Sequence, residues 1–331
     1  MGGRFTMAKI KRLFNDPYDI VEEMVEGYVG AHKQYVKMCD LDEAQGRVVL
    51  ANDAGTKDKV GVIIGGGSGH EPLFIGYVGE DFADAVVIGN INTSPSPDPC
   101  YAAAKACDNG KGCIYLYGNY AGDVMNFDMG AEKADEEDDI RVETVLVTDD
   151  VVSSENIPDR RGIAGDFFVF KVAGAKAATG ADLDEVVAAA QKANDNTRSM
   201  GVAMSSATLP AKGGTIFDME DGDMEIGMGI HGEPGIRRGK IDTADNVIDE
   251  IMEPILKDLP YVEGDEVYVL VNSLGATPLI DLHVCYRRVA QILEEKGIKV
   301  YKALVGPFAC SMDMAGMSVT LMKLDDELKE L

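Results

Sequence analysis

The 331 residues contain no tryptophan, only four histidines and six cysteines, and acidic residues outnumber basic ones 57 to 31. Each shortage removes a class of function. The formal net charge of -26 repels nucleic acid and anionic lipid over most of the surface, so neither is expected as a partner. It also favours a neutral polyol or ketone over an anionic ligand, which would need a basic pocket of its own. Cys39, Cys100, Cys107, Cys113, Cys285 and Cys310 form no CxxC pair and do not alternate with histidine at zinc-site spacing. They read as reduced core thiols, and no metal is expected. No apolar run approaches the ~20 residues of a membrane span, and the opening Met-Gly-Gly-Arg-Phe-Thr lacks the apolar core of a signal peptide. A cytoplasmic protein is expected. Met7, followed by Ala-Lys-Ile-Lys, is a candidate internal start, which leaves residues 1–6 as an extension without assigned function.

The length favours two domains. Asn15-Asp16-Pro17 predicts the start of a first helix, with Val21, Met24, Val25, Tyr28 and Val29 on its apolar face. Short apolar runs follow at Val60–Ile64, Ala85–Ile88, Gly112–Tyr117 and Val142–Val147, each ending in a glycine-rich or acidic turn. These predict buried strands of a largely parallel sheet, with helices around Tyr101–Asp108 and Asn126–Ala134. An alanine-rich helix from about Asp182 to Asn194 closes the half, and the polar segment at 195–199 is the boundary candidate. The second half predicts strands near Gly201–Ser205, Glu225–Ile230, Val267–Val271, Ile298–Leu304 and Ser318–Lys323. It also predicts helices at Asp245–Lys257 and Pro278–Lys296, the latter capped by Thr277 and ended by Gly297. The expectation is two α/β domains, 1–195 and 196–331, with mixed, largely parallel sheets and a ligand site between the strand-end loops of both. No internal repeat is found.

Four segments carry candidate chemistry. The run Gly65-Gly66-Gly67-Ser68-Gly69-His70-Glu71-Pro72 follows the strand at 60–64, and its glycines let backbone N–H groups approach an oxygen-rich ligand. It is neither a Walker loop nor a dinucleotide fingerprint, because no Gly-Lys-Ser/Thr follows and His70 and Pro72 interrupt a helix start. A plain tight turn is the alternative. His70 stands where open α/β sheets place their ligand crevice. Glu71 either orients it or is a solvated carboxylate. Asp123, in Gly118-Asn-Tyr-Ala-Gly-Asp123, either takes a proton from a substrate hydroxyl or caps the next helix. The segment 92–98 lines the same crevice or merely turns the chain. His231, between Gly229 and Gly232, either is structural or, with its ring cleared of neighbours, attacks a ketone carbon to give a hemiaminal. His32 and His283 read as structural.

Together Gly65–Pro72, Gly122-Asp-Val-Met-Asn-Phe127, Gly229-Ile-His-Gly-Glu-Pro-Gly235 and Asn272-Ser-Leu-Gly-Ala-Thr-Pro278 resemble the substrate-binding subunit of dihydroxyacetone kinases over nearly the whole chain. The resemblance implies a homodimer that holds a small ketose as a hemiaminal on His231. It implies that Asp123 and His70 contact the hydroxyls and assist phosphoryl transfer, and that Gly67, with its neighbours Ser68 and Gly69, meets the ligand. It further implies that ATP or ADP with Mg sits on a separate helical subunit, which in one branch of the family is rephosphorylated by a phosphotransferase-system phosphocarrier. No nucleotide site is expected in this chain itself. Gly118 departs from the lysine common in that family at its place. The departure removes a cation, is expected to open space, and makes erythrulose an alternative substrate. A ketone-sensing regulatory paralogue is the alternative from another class.

Overall fold

The computed structural model describes residues 12–331, so the reading of Met7 and residues 1–6 lies outside the described residues. In chain order its elements are α1 (Ile20–His32), β1 (Val36–Met38), β2 (Val48–Ala51), β3 (Gly61–Ser68), β4 (Ala85–Ile91), α2 (Pro97–Cys107), β5 (Cys113–Gly118), α3 (Ala121–Asp138), β6 (Val142–Val147), α4 (Asp166–Ala178) and α5 (Leu183–Asp195). There follow β7 (Thr197–Ala203), β8 (Thr208–Leu209), β9 (Gly214–Thr215), β10 (Asp223–Ile226), β11 (Arg237–Lys240), α6 (Ala244–Asp258), β12 (Glu266–Ser273), α7 (Leu279–Glu295), β13 (Lys299–Gly306), β14 (Gly316–Leu324) and α8 (Asp326–Glu330).

The first sheet has the order β1-β2-β4-β3-β5-β6, with β4, β3, β5 and β6 parallel and β1 and β2 added antiparallel at one edge. Its strands β3 and β5 are buried throughout, which explains why they read as continuous apolar runs. The second sheet, β11-β10-β7-β14-β12-β13, corrects the expectation of largely parallel strands. Only β12 and β13 run parallel; every other neighbouring pair is antiparallel. β12 crosses over through α7 to the parallel β13, a βαβ unit, whereas β10 returns antiparallel beside β7 and β14 lies antiparallel between β7 and β12.

Period-two alternation in the second sheet decides how the two halves join. Val267, Val269 and Val271 of β12 pack into the core beneath α6 and α7, whereas Tyr268 and Leu270 point to the other face and join the core of the first half. There Phe168 of α4 meets Tyr268 with ring centroids 4.9 Å apart. The second sheet is thus filled on both faces, one by its own helices and one by the first half.

Several elements start elsewhere than the sequence suggests. Residues 15–19 form a turn held by Tyr18 N–H donating to Asp16, and α1 begins three residues after Pro17. Pro278, not Thr277, precedes α7 as its cap residue; the Thr277 hydroxyl instead exchanges hydrogen bonds with the Gly316 backbone. The short edge strands β1 and β2 and the helix α4 had no counterpart in the sequence reading. In α4, Phe168, Val169, Phe170, Val172 and Ala173 are all buried, so no polar face marks its period. The glycine run belongs to β3 up to Ser68 and is not a turn. All six cysteines are free thiols, five of them buried.

An ion-pair cluster fastens the junction. Asp258, at the end of α6, receives both Arg160 (2.6 and 2.9 Å), from the segment before α4, and Arg198 of β7. Both guanidinium groups are almost fully buried. Asp258→Ala, which strands two buried cations, should lower unfolding stability by about 3–5 kcal/mol in denaturant titration. The two arginines hold the Asp258 carboxyl below its usual range. Its contribution is therefore present above the unfolded value near 3.8 and disappears only as pH falls through the lower folded value.

Candidate active site

Two adjacent parallel strands deliver the first half's contribution. β3 and β5 end on the same sheet edge; the chain leaves β3 at His70 and leaves β5 into α3, whose first turn carries Asp123. That edge is where an open α/β sheet forms its crevice. The second half delivers His231 through the loop after β10. The two halves are stitched at this place by backbone bonds: Cys310 N–H donates to His70 O (3.1 Å) and Met312 N–H to Gly69 O (2.7 Å).

The result is a small cavity of about 20 Å³ lined by Gly65, Gly66, Gly67, His70, Gly118, Tyr120, Asp123, Asp166 and His231, among others. His70 Nδ1 lies 2.8 Å from the Cys310 carbonyl, which fixes a proton on Nδ1 and leaves Nε2 as acceptor. That Nε2 lies 2.9 Å from Nε2 of His231. On the far side of the His231 ring, Nδ1 faces Glu233 at 3.3 Å. Two rings that each carry their proton on Nδ1 would set lone pair against lone pair, so one further proton between the Nε2 atoms satisfies the contact. Burial, then the neighbouring His231, push the His70 pKa down to about 3.

Glu233 holds His231 twice, accepting from its backbone N–H (3.0 Å) as well as facing its ring. Burial alone would raise this carboxyl, yet the hydrogen bond and charge of His231, backbone donors and Arg161 bring it to about 2. Arg161 lies 3.8 Å away and is itself anchored by Asp150 at 2.8 Å. Gly229 is required here, because a Cβ would lie 2.2 Å from the Glu233 carboxylate; Gly232 is required by its backbone, at φ +84°. The glycines thus serve Glu233 and the turn. They do not clear the histidine of neighbours, as the sequence suggested: its ring sits between those of His70 (4.7 Å) and Tyr120 (4.6 Å).

Asp123 is buried and does not cap α3; Tyr120 occupies the cap position and Asp123 Oδ1 has no partner. Burial raises its pKa to about 6, against a smaller lowering by Ser94 and His231. It is therefore a carboxylate at neutral pH with raised basicity. Ser94 also shows that the segment 92–98 reaches the crevice.

Other expectations are corrected. The Ser68 hydroxyl donates to Gly89 O inside the sheet (2.8 Å), and Gly69 N–H donates to the Glu71 carboxylate (3.1 Å), so neither residue lines the cavity. Glu71 thereby orients the loop backbone and not the His70 ring. Gly67 does line it, and a Cβ there would lie 2.8 Å from Thr93 N. The room expected beside Gly118 is taken: a Cβ would lie 3.1 Å from the Tyr120 ring and 3.2 Å from Gly162 O. His32 and His283 stand on α1 and α7, away from the cavity.

Two histidines, an acidic cavity and strand-end loops from two α/β halves define a site built for a small polar molecule, with neither lysine nor arginine in its lining for a phosphate chain. Comparison with known proteins gives the class a family. The Dak1 domain model matches residues 26–331, and the chain belongs to the dihydroxyacetone kinase family. It is 60% identical over 97% of its length to the dihydroxyacetone-binding subunit of a PTS-dependent dihydroxyacetone kinase 2 of Listeria innocua, of which it covers 96%. It is 43% identical to an L-erythrulose 1-kinase of Mycolicibacterium smegmatis, covering 96% of this chain and 56% of that one. Among solved structures, the dihydroxyacetone kinase of C. freundii superposes with a TM-score of 0.86 at 32% identity, over 97% of this chain and 58% of its own. Among the described residues no helix is long and apolar enough to cross a membrane.

The raised Asp123 pKa has a measurable cost. Above pH 6 the folded protein bears an ionised buried carboxylate whose pKa in the unfolded chain is near 3.8. The difference destabilises the fold by about 2–3 kcal/mol, and the cost vanishes as pH falls below 4. Asp123→Asn should therefore raise the melting temperature at pH 8 and leave it unchanged at pH 3.5.

Proposed function

We propose that this chain is the ketose-binding subunit of a two-component dihydroxyacetone kinase: it holds dihydroxyacetone covalently on His231 and presents one hydroxyl to a phosphate carried by a partner subunit. The single observation that carries the reading is the meeting of the His70 and His231 Nε2 atoms at 2.9 Å in a cavity also lined by the buried Asp123, whose Oδ1 has no partner. The most similar relative named above is itself such a dihydroxyacetone-binding subunit.

The chemistry follows from the protons. As the ketone carbon enters between the rings, the His70 Nε2 acceptor takes the shared proton from His231 Nε2, the lone pair so freed bonds the ketone carbon, and the carbonyl π pair moves to oxygen. His70 passes the proton to that oxygen and returns to neutral, completing a hemiaminal. The ring, now bonded at Nε2 and protonated at Nδ1, is cationic, and the Glu233 carboxylate at 3.3 Å balances it. Glycerol, which offers no electrophilic carbon, cannot be held this way. Asp123 then takes the proton of the attacking hydroxyl. His70, kept neutral by burial, orients the same end of the ligand.

The cavity lining offers neither lysine nor arginine to a phosphate chain, and the phosphate donor is assigned to the partner: a helical subunit carrying ATP or ADP with Mg, recharged in one branch by a phosphotransferase-system phosphocarrier. In-line attack then depends chiefly on positioning and charge. The chain acts as a homodimer in the cytoplasm. Dihydroxyacetone is preferred to erythrulose as substrate, because Tyr120 and Gly162 close the space beside Gly118. A sensing role would leave a buried Asp123 with an unpartnered Oδ1 and no task, which favours the enzyme.

Intact-mass analysis of protein soaked with dihydroxyacetone should show an adduct that His231→Ala lacks and Asp123→Asn keeps. In a coupled assay with the helical subunit, Asp123→Asn should lower kcat at least 100-fold. An adduct surviving in His231→Ala would remove the covalent role, and a ketone bound but never phosphorylated with any cognate partner would leave only the sensor.

A further inference from the structure

The mechanism uses one of two carboxyls that face the cavity. The other belongs to Asp166, in the first turn of α4 and only 2% exposed. It lines the cavity together with Gly118, Tyr120, Asp123 and Gly162. Its Oδ1 is buried without a hydrogen-bond partner. A Cβ on Gly162 would lie 3.2 Å from that oxygen, so the glycine at this position leaves the acid its place at the wall.

The surroundings provide nothing to satisfy it. The backbone donors at the start of α4 are taken by another residue: Ile163 N–H and Gly165 N–H both donate to Asp149, each at 2.8 Å. The cations of the neighbourhood are likewise engaged, Arg161 with Asp150 and Arg160 with Asp258. Gly118 offers no side chain at all. A buried carboxyl oxygen without a protein donor or cation is a costly arrangement, and a ligand that bonds to it recovers the loss.

We propose that Asp166 is a second hydroxyl-recognition group of the ketose site, bonding the hydroxyl that Asp123 does not deprotonate. The inference rests on the ketone reading above and deepens it by naming the residue that reads the second hydroxyl. Burial first, and then the charges of Asp149 and Asp123, keep the Asp166 carboxyl well above the usual carboxylate range. As a neutral acid it donates one hydrogen bond to a hydroxyl oxygen and accepts one from the hydroxyl proton, which is the full complement of an alcohol. The two carboxyls divide the work through their environments, one ionised as base and one neutral as donor.

The test compares dihydroxyacetone with hydroxyacetone, which lacks one of the two hydroxyls, by adduct titration and intact mass. Wild-type protein should prefer dihydroxyacetone. Asp166→Ala should reduce the ratio of the two affinities by about 10- to 100-fold, the effect of one hydrogen bond to a buried group. Asp166→Asn, which still donates, should keep the ratio within about fivefold of wild type. A second readout needs no variant to fold: in difference infrared spectra of the wild-type chain, a protonated-carboxyl band should shift on adding dihydroxyacetone and stay still on adding hydroxyacetone. A ratio unchanged in Asp166→Ala, or a band that either ketone shifts equally, overturns the role of Asp166 and leaves the His231 adduct intact. Absence of any adduct in wild type overturns the ketone reading itself and this inference with it.

Discussion

Two imidazole nitrogens from residues 161 positions apart lie 2.9 Å from one another, and much of the surrounding architecture is arranged to keep them there. Each ring is held from behind, His70 by the Cys310 carbonyl and His231 by the Glu233 carboxylate. Each holder in turn depends on the opposite half of the molecule or on an arginine from it. Cys310 belongs to the loop after β13, and Arg161 comes from the segment before α4. The constraint therefore reaches the fold: the second sheet must lie against α4 for the 310–312 loop to bond the backbone of Gly69 and His70. The alternation of β12, with valines toward its own helices and Tyr268 and Leu270 toward the first half, supplies the apolar contact that makes this docking stable.

Charge is distributed with comparable economy. The protein is strongly acidic, and its site is acidic too, yet each carboxyl there has a different state because each has different neighbours. Glu233, near His231 and Arg161, is held ionised; Asp123 sits at intermediate basicity; Asp166, buried near Asp149 and Asp123, is pushed well above the usual carboxylate range. Three identical functional groups are given different proton affinities by burial and neighbouring charge alone. No lysine or arginine lines the cavity, which suits an uncharged ligand.

Much of the first sheet was legible in the chain because buried parallel strands leave unbroken apolar runs; β6 matches its expected residues and β5 is displaced by one. The second sheet's strands were legible individually, but their direction was not, since an antiparallel strand buried on both faces has the same composition as a parallel one. α4 was invisible for the related reason that burial on all sides erases the helical period. At the site, His70, Asp123 and His231 stood out because they interrupt glycine-rich strand ends. Ser68 and Gly69 looked equivalent to Gly67 in sequence, and only the direction of their bonds, toward Gly89 and Glu71, separates them.

The sequence by itself determined the inventory: the three candidate side chains, the glycine-rich segments that carry them, the family, and an acidic surface unsuited to nucleic acid. Only the tertiary structure decided how those side chains act. Protonation follows from what each group faces, and His70 and His231 face one another only after two sheets have docked. Asp166 shows the limit most clearly. In the chain it is one aspartate before an apolar run, and in the fold it is a buried acid at the cavity wall, because the donors that would have satisfied it were taken by Asp149.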